Sequence, residues 1–230
     1  MPRSKPTPAA TRARRSIAPP RVKRPKRVRP YHHGDLRAAL LDAVAGILRD
    51  EGIGGVSLRE AARRAHVSHG APAHHFQNKA GLLTAFAAQG YERLGGAVEE
   101  TILANRPADG AAMLEAIGQG YVRFAIEHPE QFEIMFRVDM LDPGDAAYTE
   151  WSNRAFGLLS ETVARCIQER GLDPGAAEPL AVAAWSLVHG LAKLWISGRL
   201  GKRTRTRDPR ILAEQVTRLF VDGIVRGAGR

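Results

Sequence analysis

The stretch SLREAARRAHVSHGAPAHHF, residues 57–76, decides the fold. Ser57 followed three residues later by Glu60 reads as a capping box, in which each side chain can satisfy a free backbone N–H at the other's position. Leu58, Ala61, Ala62 and Ala65 recur at helical spacing, while Arg59, Glu60, Arg63 and Arg64 fill the remaining positions. His66-Val67-Ser68 breaks the pattern, and Ser68 offers an N-cap for a second helix. That helix carries His69, Gly70, Ala71, Ala73 and His74, small side chains and hydrogen-bonding imidazoles of which few suit a core. Two short helices joined by a tight turn, the second bare of bulk at its N-terminal end, form a unit that can lie against base edges in a major groove. Pro72 lacks a backbone donor and disfavours α geometry at Ala71, so the second helix is expected to start as late as Ala71 or to be loosely wound in its first turn.

Outward from this unit the pattern stays helical. A first helix is expected after Gly34, with Asp35 as N-cap, running to about Asp50 and stopped by Gly52. Its stripe of Leu36, Leu40, Val44, Ile47 and Leu48 covers the next two helices. A long helix starts after Asn78, carries Leu82, Leu83, Phe86 and Leu94, and ends at Arg106-Pro107. Residues 113–127 form another, broken by His128-Pro129, and Pro129 opens a short helix containing Phe132, Ile134, Met135 and Phe136. After a loop at Asp142-Pro143-Gly144, residues 145–170 read as a helix closed by Gly171. Asp173-Pro174 and Glu178-Pro179 lead into a helix through Leu180, Trp185, Val188, Leu191 and Trp195. Asp208-Pro209, cap and first-turn proline together, open the last helix with Leu212, Val216, Leu219 and Phe220. The linker between these two, GRLGKRTRTRD, is polar and expected to be mobile. No strand alternation stands out. The fold class is all-α: a three-helix helix-turn-helix domain followed by a second helical domain, with boundaries at 31–80 and 81–230.

Residues 1–30 differ from everything after them. They hold eleven of the 34 Lys/Arg, no acid, and seven of the 14 prolines, so the formal charge of +10 belongs to this arm and residues 31–230 carry about −1. A proline-rich segment of one sign cannot bury enough surface to fold. It reads as a basic arm adding non-specific affinity for DNA phosphates, or as a merely solvated extension. A hydrophobic content of 44% is ample for a core in the remainder. The single cysteine, Cys166, allows no internal disulfide, reads as a small core residue, and fits a reducing cytoplasm. No apolar run approaches the roughly 18 residues of a membrane span, so no membrane partner is expected.

The run from Tyr31 to Leu83 resembles the N-terminal domain of the TetR/AcrR family of bacterial transcriptional regulators. The resemblance rests on Ser57-Leu58-Arg59-Glu60, the turn Val67-Ser68, the pair His75-Phe76 and the restart from Lys79 to Leu83, and covers about fifty residues. It implies DNA contacts from His33, Ser57, Leu58, Arg59, Ser68, His69, Gly70, Ala71, Ala73, His74, His75 and Lys79. Backbone N–H groups opening the two helices, with Lys79, hold phosphates in this picture, and His69, Gly70 and Ala71 face bases. One departure is that the family usually has a phosphate-reaching Tyr two residues before His75, where this chain has Ala73. The segment WSLVHGLAKL, residues 185–194, is similar to the Trp…His-Gly signature of one subgroup of the same family. From the resemblance follow a homodimer through the last two helices, a near-palindromic double-stranded operator, and an unknown small-molecule effector. His189, Trp185, Met135, Phe136, Phe124 and Met113, with Phe156, are the implied effector-binding residues. Plain core packing is the competing account of each apolar one, and a satisfied core histidine that of His189.

Six of the eight histidines fall at positions 32–75, which raises a metal site. His66 and His69 straddle the turn, adjacent His74 and His75 point about 100° apart on a helix, and no cysteine or acid completes a set. Neither metal nor cofactor is therefore expected. Imidazoles donating to phosphates and bases account for the cluster better, and predict tighter DNA binding as pH falls toward 6. With no phosphate loop, nucleophile elbow or HExxH motif, a hydrolytic enzyme built on His74, His75, His128 and His189 is the weak alternative. A ligand-blind architectural DNA binder is the other. The expected function is that of a homodimeric repressor released from its operator by a ligand.

Overall fold

This computed structural model describes residues 33–201 and 203–227, and among these described residues there are nine α-helices and no strand. The basic arm, Tyr31 and His32 lie outside the described residues, as does the side chain of His33.

Helix α1 spans His33–Glu51, so it begins two residues before the expected cap, and Asp35 falls within its first turn. Leu40, Leu41, Val44 and Ile47 of α1 are fully buried, and Gly52 at φ 68° ends the helix as its lack of a Cβ allows. Helix α2, Leu58–Arg64, starts at Ser57, whose Oγ accepts from the Glu60 N–H at 3.1 Å. Only this half of the capping box forms. The Glu60 carboxylate turns instead to Arg63 (2.7 Å) and Arg64 (3.1 Å), which offer charged donors where the Ser57 N–H offers a neutral one.

Helix α3 is six residues long, Ala71–Phe76, and its N-cap is Gly70, not Ser68. The Ser68 carbonyl accepts from the Ala71 N–H in a preceding turn, and Pro72 occupies a first-turn position where its missing donor costs nothing. His69 and Gly70 therefore belong to the turn. Helix α4, Lys79–Asn105, is capped by Asn78, whose side chain accepts from the Gly81 N–H at 2.9 Å, and is closed by Arg106 in the left-handed region.

Helix α5 (Gly110–Glu127) starts three residues earlier than expected because Asp109 caps it through the Ala112 N–H. Helices α6 (Pro129–Met135), α7 (Ala146–Arg170), α8 (Ala177–Ile196) and α9 (Pro209–Gly227) follow the proline and cap signals closely. Their directions alternate. Arg170 at the end of α7 pairs with Asp109 at the start of α5 (2.9 Å), whereas Lys193 near the end of α8 pairs with Glu133 of α6 (2.6 Å). Helix α9 then returns alongside α5, with Thr217 against Gly118. A Cβ on Gly120 would sit 2.7 Å from the Val98 Cα, so α4 and α5 approach backbone to backbone. Around this seam Phe86, Phe124 and Phe132 are fully buried, each contributing about 1.5–3 kcal/mol by leaving water.

One sequence expectation needs correction. Among the described residues Pro174–Ile196 is long and apolar enough to cross a membrane by length and composition, with mean hydropathy 1.3 and only 28% of that window buried. The apolarity is distributed over two faces, not gathered in one run. Ala181, Ala184, Val188 and Ala192 turn to the core, while Val182, Trp185 and Leu194 stay exposed.

Candidate functional site

Helices α2 and α3 present a surface of small and polar groups. His69, Gly70, Ala73 and His74 are exposed, Ala71 and His75 half-buried, and Pro72 and Phe76 buried as the anchor of α3. Phe76 takes the Arg37 guanidinium over its ring at 5.9 Å and the His75 ring at its side at 6.0 Å. His66, at φ 55°, makes the reversal between the helices in a region that few side chains adopt.

Gly70 has an ordinary φ of −82°, and a Cβ placed on it would meet nothing within 4 Å. Neither its backbone nor internal packing requires a glycine, so its smallness serves the outer surface. Gly81 is the opposite case, since a Cβ there would lie 2.2 Å from the Phe76 carbonyl oxygen. It lets the start of α4 close over the end of α3.

The cations of α2 divide by role. Arg64 reaches Asp50 at 2.5 Å and also pairs with Glu51 and Glu60, locking α2 to the end of α1. Hydrogen bonds from Arg63 and Arg64 hold the Glu60 carboxyl down at about 2. Arg59 is exposed and forms no ion pair among the described residues, so its charge is available to a phosphate. Of the other expected contacts, Ser57 and Ser68 are exposed, but Leu58 packs partly into the core. The Lys79 ammonium donates to the Ile53 carbonyl at 3.0 Å, tying α4 to the turn after α1 while keeping two N–H bonds free.

A second feature lies in the helical body. A cavity of about 330 Å³ opens between α4, α5, α7, α8 and α9, and no Asp, Glu, Lys or Arg lines it. Of the implied effector-binding residues, Phe136, Trp185 and Phe156 stand in its wall. Met113, Phe124 and Met135 do not. Phe124 and Met135 are fully buried in the core, and Met113 packs against it from outside, because helical phase turns them toward neighbouring helices instead. Tyr91 and Tyr121, which periodicity did not single out, bring polar tips to the wall, as do Ser152, Asn153 and Thr217.

His189 is not itself in the wall but holds Tyr121 there. The Tyr121 hydroxyl lies 2.9 Å from His189 Nδ1 and accepts from Trp185 Nε1 at 3.3 Å, so its own proton points to the imidazole nitrogen. Burial, with Lys193 nearby, keeps the His189 pKa below its ordinary value and favours the neutral ring that this bond needs. Burial likewise raises the Tyr121 and Tyr91 pKa values, so both phenols stay neutral.

Helix α6 touches both features. Glu130 accepts from Arg49 of α1 at 2.8 Å. Phe132 stacks near His189 (5.1 Å between ring centres) and Tyr121 (5.8 Å), while Phe136 at its end meets His189 at 4.6 Å. Between them the buried Gln131 bonds Arg93, Gln89 and the Phe86 carbonyl of α4. Among the described residues no three His, Cys, Asp or Glu side chains converge as a metal site would require.

Comparison with known proteins agrees with this geometry. Residues 40–86 match the family model "Bacterial regulatory proteins, tetR family", and residues 114–220 match "Tetracyclin repressor-like, C-terminal domain". No curated protein matches the chain. A solved structure of a protein of unknown function from Rhodococcus sp. RHA1 is 31% identical, with 86% of this chain and 97% of that one covered and a TM-score of 0.70. The TetR family transcriptional regulator PfmR from Thermus thermophilus shares the fold at 20% identity, covering 81% and 94% of the two chains with a TM-score of 0.60. The fatty acid degradation regulator FadR from Bacillus halodurans does so at 15% identity, covering 80% and 94% with a TM-score of 0.64. The helix-turn-helix of α2 and α3, the helical body behind it and both family models make the chain a member of the TetR family, a DNA-binding transcriptional regulator and not an enzyme.

Proposed function

We propose that the protein is a homodimeric repressor that leaves its operator when a small neutral ligand fills the cavity. The observation that carries this reading is α6, which touches the cavity's polar wall through Phe132 and Phe136 and the DNA-reading bundle through Glu130. A ligand that displaces Tyr121 or His189 must repack α6, and α6 holds both α1 and α4. Switching needs only a difference in ligand affinity between two such arrangements.

The domain limits that fit this reading are 31–80 for DNA binding and 81–230 for regulation and dimerisation. Exposed Val182, Trp185 and Leu194 on α8, with Ile211 and Leu219 on α9, supply the apolar face for a two-fold partner. Two copies of α3 about 34–36 Å apart then read successive major-groove turns. Exposed His69, Gly70, Ala73 and His74 face the bases, and Arg59 with the helix starts at Ser57 and Ala71 positions the phosphates. Lys79 contributes through the N–H bonds that Ile53 leaves free.

The ligand class follows from the wall. A carboxylate or ammonium inside it would meet no countercharge, and an unpaired buried ion costs several kcal/mol. Aromatic or alicyclic molecules with one hydroxyl or carbonyl fit, the polar group bonding Tyr121 or Tyr91.

The test is binding of the purified chain to a duplex it selects from a randomised pool, against excess random DNA. The expected result is a near-palindrome bound by two chains. Release by neutral probes such as 2-naphthol, and not by 2-naphthoate, completes it. Equal affinity for all DNA makes the protein an architectural binder instead.

A further inference from the structure

We propose that the loop joining α8 to α9 is a second DNA-binding element, which grips phosphates at the centre of the operator, between the two recognition helices. The proposal rests on the dimeric regulator described above.

Charge singles the loop out. Arg199, Arg203, Arg205, Arg207 and Arg210 stand within twelve residues against one acid, Asp208. The rest of the regulatory body, residues 81–198 and 211–230, has the opposite sign, with eleven Lys/Arg against eighteen Asp/Glu. The loop is thus a basic island on an acidic body, not part of a generally basic surface. Asp208 is taken by Arg210 at 2.8 Å, and among the described residues Arg199, Arg203, Arg205 and Arg207 have no carboxylate partner. All four are exposed.

Placement gives the island a partner. Helix α8 descends toward α6, where Lys193 meets Glu133, and Glu130 of the same α6 meets Arg49 of α1. The loop follows directly, and Arg207 and Arg210 border Arg123 and Glu127 at the end of α5 nearest α6. It therefore emerges at the end of the body that carries the helix-turn-helix. It also joins the two helices whose exposed apolar faces pair in the dimer, so the two loops lie side by side on the two-fold axis. That axis passes through the middle of a palindrome.

Hydrogen bonds within the loop give it a shape of its own. Thr204 Oγ1 donates at 3.2 Å to the Leu200 carbonyl and lies 3.0 Å from the Thr206 carbonyl, Arg203 donates to the Arg199 carbonyl at 2.8 Å, and Arg207 donates to that of Gly201. Arg203 and Arg207 each spend one N–H on these bonds and keep others, so all four exposed guanidiniums can still offer donors to a phosphate. Polyanionic DNA is the occupant that matches this charge at this end of the molecule. Each phosphate contact releases counterions and adds about 0.9 to the slope of log K against log salt.

The experiment replaces Arg199, Arg203, Arg205 and Arg207 by Gln in the full chain. Affinity for the duplex selected by the parent is measured from about 50 to about 300 mM salt, a range wide enough to resolve the slope, with hydroxyl-radical footprinting of the same complex. The expected result is unchanged half-site protection, lost protection of the central phosphates, at least about tenfold weaker binding at low salt, and a salt slope shallower by about 2–4 per dimer. An unchanged slope with the central footprint intact overturns the proposal. So does weakened binding in which half-site and central protection fall together, since that marks damage to the recognition helices. If the parent itself selects no palindrome, the regulator reading fails first, and the two failures are told apart. An unaltered helical circular-dichroism spectrum and thermal midpoint check that the exposed loop tolerates the changes.

Discussion

Glu130 on α6 accepts from Arg49 on α1 at 2.8 Å, across 81 residues of sequence, and the bond joins the element beside the cavity to the element that buttresses the recognition helix. Arg49 is 65% exposed and Glu130 17%, so the pair contributes little to stability, about 0–1 kcal/mol. Its consequence is positional. Arg49→Ala should leave the urea midpoint nearly unchanged and DNA affinity in the absence of ligand within a few-fold, while shrinking the fold-loss of affinity that a neutral cavity ligand produces. Titrating operator with and without the ligand measures this. A full ligand response in Arg49→Ala would assign the coupling to the Gln131 contacts with α4 instead.

Two glycines separate folding from reading. Gly81→Ala drives a methyl to 2.2 Å from the Phe76 carbonyl oxygen, a backbone atom that cannot move without shifting α3. Destabilisation of about 1–3 kcal/mol is expected, as for other overpacked sites. Gly70→Ala meets nothing and keeps a permitted φ, so stability should hold or rise by about 0.4–1 kcal/mol through the unfolded chain. DNA affinity should nevertheless fall, because in the proposed complex the added methyl lies where a base edge approaches. Thermal unfolding and operator binding of both variants form the check. A Gly70→Ala protein that binds DNA as the parent does would remove Gly70 from the interface.

Local signals were legible in the sequence and partner choice was not. Ser57, Asn78, Asp145 and Asp208 cap the helices they were expected to open, because a cap depends on three or four neighbouring residues. Ser68 failed because Pro72 set the helix start by itself. Glu60 formed half its box because Arg64, fixed by Asp50 and Glu51 from another helix, offered a stronger partner. The cavity shows the same limit. Whether Met135 or Tyr121 faces the space depends on how α5 and α6 rotate against α4, which periodicity leaves free.

The Tyr121 hydroxyl joins Trp185 and His189, and its removal should be felt in ligand binding and in pH dependence. Tyr121→Phe leaves the Trp185 N–H and His189 Nδ1 without that partner, at a cost of about 1 kcal/mol given their partial exposure. Affinity for a hydroxylated probe should fall more than affinity for its hydrocarbon analogue. The pH effect comes from His189, whose folded pKa is depressed by burial and by Lys193. Unfolded protein takes up this proton below about 6.5 while the folded protein resists it, so stability declines as pH falls from there through the lower folded value. His189→Gln should flatten the fall in thermal midpoint between about pH 7 and 5. His128 is depressed for the same chief reason, burial, but is present in both proteins and cancels from the comparison. Parallel pH profiles for parent and variant would contradict the assignment.

Glu60 gives the opposite signature at lower pH. Hydrogen bonds from Arg63 and Arg64 lower its carboxyl from 4.5 to about 2, so the folded state holds the ionised form more firmly than the unfolded chain. That contribution is fully present above about 4.5 and is lost as pH falls through about 2. Glu60→Gln should therefore unfold at lower urea than the parent at neutral pH, with the gap closing between pH 4.5 and about 2. The pair is exposed, so added salt should narrow the gap at neutral pH as well. The variant also frees Arg63, placing a second unpaired guanidinium beside Arg59 on α2, which faces phosphates in the proposed complex. Non-specific DNA affinity should rise and its salt slope steepen by about one phosphate contact per protomer. Competition with random DNA measures this, and a slope equal to that of the parent would mean that Arg63 does not reach a phosphate.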